Sequence, residues 1–115
     1  MEVSFLNVSG ECFLTEALTC EEPCVPYAGL TWRGMGPCVL ITGPTGVATI
    51  AVNSRRFELG PNSWVKLGNS VGGIHRFLPQ GKDVRHVVGH LWALVSRDPN
   101  FEEDYNANVA VGVRG

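Results

Sequence analysis

Glycine and proline set the strongest limit on how this chain can fold, with 14 Gly and 7 Pro among 115 residues. Turn formers at that density favour many short strands joined by tight turns over a helical bundle, because glycine reaches positive φ without steric cost and proline interrupts both helix and ladder. An apolar content of 44% against 17% charged residues gives the chain enough hydrophobic surface to bury a core, which excludes disorder and fibrous repeats. A length of 115 residues suits one domain, spanning 1–115. No apolar run approaches the ~20 residues that a membrane helix needs. The Met-Glu start lacks the basic and apolar regions of a secretion signal, so the expectation is a cytoplasmic protein without membrane contact.

Between the turn signals, β-branched and aromatic residues mark out strands. Residues 3–8 read as a strand that turns at Ser9-Gly10 into a second at 12–17, a hairpin for which a short helix at 13–18 is the competitor. Residues 19–37 carry three Pro and three Gly and read as a long loop, a candidate lid. Two further hairpins are expected. One joins Cys38–Thr42 to Val47–Val52 around Gly43-Pro44-Thr45-Gly46, pairing Ile41 with Ala48; the other joins Arg55–Leu59 to Ser63–Leu67 around Gly60-Pro61-Asn62, pairing Phe57 with Val65. The first is apolar on both faces, as central strands covered on both sides should be. The second has an inner face of Phe57, Leu59, Val65 and Leu67 and an outer face of Arg56, Glu58, Trp64 and Lys66. Residues 74–78 and 108–113 add two more strands, the last with Val109, Val111 and Val113 inward.

Residues 83–97 have the period of a helix. At ~100° per residue, Val84, Val87, Val88, Leu91, Trp92, Leu94 and Val95 share one arc, Asp83 stands at the N-cap and Pro99 ends the run. The expected fold is therefore α+β: a twisted, mainly antiparallel sheet of six to eight strands, able to curl into a half barrel, with one long helix packed on it.

Charge is unevenly spread. Residues 1–22 hold five acids and no base, 33–97 hold eight bases against Glu58 and Asp83, and 98–115 hold four acids and Arg114. Acidic ends that fold back over a basic middle, or over that of a neighbouring subunit, explain this without a nucleic-acid ligand. The four cysteines, Cys12, Cys20, Cys24 and Cys38, are expected to be reduced and to behave as small apolar residues.

Chemistry-bearing motifs are few. His86 and His90 share a helical face, yet Val87 stands where a zinc protease needs its glutamate. The glycine clusters at 43–46 and 68–73 lack a phosphate-binding lysine, and no nucleophile has a local histidine partner. No metal or cofactor is expected. The outer arc of the helix carries Gly89 and Ala93 where long polar side chains would be neutral, so Arg85, His86, Gly89, His90 and Ala93 form an expected homodimer contact. The first functional expectation is a homo-oligomeric protein binding an apolar or anionic small molecule in a pocket of Trp32, Trp64, His75 and Phe77. Its rivals are a metal-dependent or acid-base enzyme using His75, His86 and His90, and an interaction module docking through an exposed Trp64 face.

Overall fold

Short runs with residues of alternating polarity can bury one face only if another layer covers it, and here the covering layer is a second sheet. The structure, a computed structural model, describes residues 2–15, 24–34, 38–68 and 71–76. These form eight strands and no helix: β1 (Glu2–Ser9), β2 (Cys12–Thr15), β3 (Thr31–Arg33), β4 (Cys38–Thr42), β5 (Val47–Val52), β6 (Arg55–Leu59), β7 (Ser63–Leu67) and β8 (Val71–Arg76). A first antiparallel sheet runs β3-β1-β5-β6 and a second β2-β4-β7-β8. Val3, Phe5, Ala48, Ile50, Val52 and Leu59 of the first meet Cys12, Leu14, Cys38, Leu40, Val65 and Leu67 of the second in one core.

This corrects the expected α+β fold. The described residues are all-β, and among them two facing four-stranded antiparallel sheets stand in place of one six-to-eight-stranded sheet or half barrel with a helix packed on it. Residues 83–97 and 108–113, like 77–78, lie outside the described residues.

The expected hairpins are also corrected, although the strand bounds of β4, β5, β6 and β7 hold. β1 and β2, β4 and β5, and β6 and β7 are each joined by a short turn but lie in opposite sheets. The three turns are arches over one end of the sandwich. They bond to one another: Gly43 N–H donates to Glu11 O at 2.6 Å, Asn62 N–H donates to Gly43 O at 3.0 Å, and the Thr42 hydroxyl donates to Gly60 O at 2.6 Å. Arches satisfy the freed backbone groups that a hairpin ladder would have paired.

Among the described residues the one two-residue hairpin loop is Asn53-Ser54, between Val52 and its partner Arg55. Both residues have positive φ, 50° and 65°, the geometry whose twist matches paired strands. Ser54 bears the steric cost of that region, so Ser54→Gly is expected to raise stability by about 0.5–1 kcal/mol. A urea midpoint that stays put or falls would contradict a strained serine here.

Because each arch stacks consecutive strands, β1 lies over β2, β5 over β4 and β6 over β7. The outermost strands β3 and β8 then overhang at opposite sides. Under β3, residues 24–30 close the gap: Cys24 bridges to Leu14, while Phe5 exchanges backbone bonds with Gly29 and Leu30. The inward Trp32 is accordingly only 8% exposed. Under β8, Ile74 points inward with its partner Val65, yet it is 42% exposed.

Candidate binding site

The outer face of the second sheet carries the site residues that the structure brings together. Parity places Phe13, Ile41, Trp64 and His75 on that face, and the strand registers align them in one row across all four strands. A second row runs Thr15, Val39 and Lys66. β-branched and aromatic side chains favour this arrangement because each packs against its cross-strand neighbour. Every residue of β4 is buried, and so is every residue of β7 except the half-buried Lys66. Both faces of the central strands are thus closed to solvent, as the two-sided apolar pattern of 38–42 implied. The Thr15 hydroxyl anchors the second row, donating to Val39 O and accepting from Val39 N–H, each at 3.2 Å.

At the β8 end of the first row, the Trp64 and His75 rings stack with centroids 4.3 Å apart and planes inclined by 18°. The two residues are direct ladder partners, which brings the rings to stacking distance. Trp64 is completely buried and His75 is half-buried, with its Nε2 out of contact with solvent, so what the pair exposes belongs to the rest of His75. Lys66, two residues along β7 from Trp64, adds a cationic side chain to the same face.

Trp32 does not join this group. It sits on β3 of the other sheet, faces the inter-sheet core opposite Val3, and folds its ring over Gly34. Phe77, Arg85, His86, Gly89, His90 and Ala93 lie outside the described residues, and so do the histidines that the enzyme alternative required beside His75. Among the described residues no cluster of His, Cys, Asp and Glu could hold a metal ion. Trp64 presents no exposed indole for docking a partner. Phe13, Ile41 and Val39 were missed as members of this face because the expected hairpin assigned β4 a different neighbour; only the parity of β7 pointed to it.

On the inner side, Cys12 and Cys38 are buried in the core and Cys24 packs against it. Burial pushes the Cys12 thiol above its ordinary value, a rise only partly offset at the Val47 backbone. A neutral thiol of this kind acts as an apolar filler rather than a nucleophile. The ion pair between Arg33 and Glu2, at 3.1 Å, is exposed on both sides and adds little to stability. No helix among the described residues is long and apolar enough to cross a membrane. No protein-family model, curated protein or solved structure matches the chain.

Proposed function

We propose that this protein is a small-molecule-binding β-sandwich whose ligand, apolar or anionic, lies at the β8 edge of the second sheet's outer face, against His75 of the Trp64–His75 stack. One observation carries the reading. The stacked pair lies outside the inter-sheet core, and its His75 ring is only half-buried where Trp64 is fully buried. An aromatic wall beside a cation suits a flat anionic ligand, which would stack on the imidazole and orient its charge toward Lys66.

The test is a fluorescence titration with 1-anilinonaphthalene-8-sulfonate and, as a smaller probe, 2-naphthoate. Saturable binding at one site per chain is expected, weakened about tenfold in His75→Ala and in Lys66→Met, which corresponds to ~1.4 kcal/mol for each lost contact. Affinity unchanged in both variants, or no saturable binding by either probe, would remove this face as the site. Assembly as a homodimer belongs to the same proposal, and a monomeric mass by light scattering would set that part aside.

A further inference from the structure

We propose that the outer edge of β6 accepts an extended acidic segment of a partner protein, laid antiparallel as a further strand of the first sheet. β6 pairs with β5, and among the described residues no strand pairs with its other edge. The tight turn at Asn53-Ser54 makes Val52 and Arg55 the first hydrogen-bonded pair of the β5–β6 ladder, so Arg55, Phe57 and Leu59 turn their backbone groups to β5. Arg56 and Glu58 turn theirs away from it. Both of these residues are exposed, and backbone groups set in such a row are a template for strand addition.

The opposite side of the sandwich shows that an extended segment suits this place. β2 stands to β3 as β6 stands to β8, one step short of the overhanging strand. There the backbone of Cys24 exchanges two bonds with Leu14 at the outer edge of β2, beneath β3. A strand laid on β6 would lie beneath β8 in the same way and cover Ile74, which is 42% exposed although its partner Val65 faces the core. A second copy of the sandwich does not fit: pairing β6 with β6 would put the copy's β7 where β8 already lies. The occupant is therefore a single extended segment without a second layer behind it.

The side chains around this edge define its chemistry. Phe57 and Ile74 form an apolar centre with a cation at each end. At one end the Arg55 guanidinium lies over the Phe57 ring, 5.5 Å from its centroid. At the other, Arg76 is the ladder partner of the buried Ser63, which gives it inward parity, and its guanidinium stands beside Gly60, the residue that follows β6. Both arginines are exposed, and no acid of β6 or β8 shares their side, since Glu58 has outward parity. In strand addition main-chain bonds supply affinity and alternate side chains supply specificity. The matching segment has an apolar residue opposite Phe57 and a carboxylate two residues away on either side, one for Arg55 and one for Arg76.

The test titrates the full chain into a fluorescein-labelled peptide, Thr-Glu-Thr-Val-Thr-Glu-Thr, and follows fluorescence anisotropy. Saturable one-to-one binding is expected, weakened about tenfold in Arg55→Gln and in Arg76→Gln, and lost when both glutamates of the peptide are replaced by lysine. N-methylation of the two threonines that flank the valine removes the N–H groups that would meet Arg56 and Glu58, and should abolish binding. N-methylation of the valine, whose N–H would point away from β6, should not, a difference that charge attraction alone does not produce. No saturable binding, affinity unchanged in both arginine variants, or equal effects of the two methylations would overturn the proposal. So would slow hydrogen exchange at the Arg56 and Glu58 amides in the protein without peptide, because the edge would then already be taken, by this chain or, if the protection rises with concentration, by a second copy.

Discussion

Trp64→Ala is expected to destabilise the protein by about 3–5 kcal/mol, the range for truncating a fully packed large aromatic side chain. The indole is 0% exposed and stands in the middle of the outer row, between Ile41 and His75. Its removal leaves a cavity and withdraws the surface on which His75 stacks, a contact worth ~0.5–1.5 kcal/mol beyond simple burial. Trp64→Phe should retain most of the packing and cost less than half as much. Urea unfolding followed by circular dichroism measures both without relying on tryptophan emission. A loss below about 1 kcal/mol for the alanine variant, typical of surface positions, would mean that the outer face is not packed as described. The same pair of variants separates stability from binding: Trp64→Phe should remain folded at room temperature while its reduced ring weakens the platform under His75.

The bounds of β4 to β7 were legible because glycine, proline and asparagine clusters punctuate runs whose period of two is clear. Which strands pair was not. A three- or four-residue turn serves equally for a hairpin within one sheet and for an arch between two, and the local sequence at 43–46 or 60–62 does not distinguish them. The distinguishing signal lay elsewhere. β5 pairs with β6 through the tight turn at Asn53-Ser54, where both residues have positive φ, and with β1 on its other edge, which leaves β4 no place beside it. Face parity survived the error in pairing: Leu59, Val65 and Leu67 are in the core and Phe57 packs against it, as the alternation required. Alternation breaks in β1, where Val3 and Phe5 point inward and the register shift between Phe5 and Asn7 turns Val8 toward the core as well. A bulge adds one residue without any mark in the sequence.

The α+β expectation arose from assigning the sheet's missing layer to the one segment with a helical period. The layer was already present in the strands themselves, since the eight strands divide evenly between two facing sheets. Of the site, Trp64 and Lys66 were legible from the alternation of β7. The stacking of His75 on Trp64 was not, because the β7–β8 register passes through a second irregularity between Val65 and Leu67. Trp32, isolated among prolines and glycines, carried no periodicity that could assign it to a face.

Gly46→Ala is the second substitution expected to have a large effect, about 3 kcal/mol or more of lost stability. A Cβ at Gly46 would stand 2.1 Å from Glu11 O and 2.9 Å from Gly43 N, and both of those atoms belong to backbone that no rotamer change can move. The reciprocal contact is as close: at Gly10, where φ is +68°, a Cβ would meet Thr45 O at 2.1 Å. Each substitution must therefore prise the β1–β2 arch away from the β4–β5 arch and break the bond from Gly43 N–H to Glu11 O. Since one separation relieves both clashes, the Gly10→Ala/Gly46→Ala double variant should lose less than the sum of the two single losses. Gly60→Ala is the control within the same end of the sandwich. Its nearest neighbour would be the Arg76 guanidinium at 3.5 Å, an ordinary contact, and stability should change by no more than about 0.5 kcal/mol. Thermal and urea unfolding of the four variants distinguishes interlocked arches from independent turns: with independent turns, Gly46→Ala would match Gly60→Ala and the double variant would be additive.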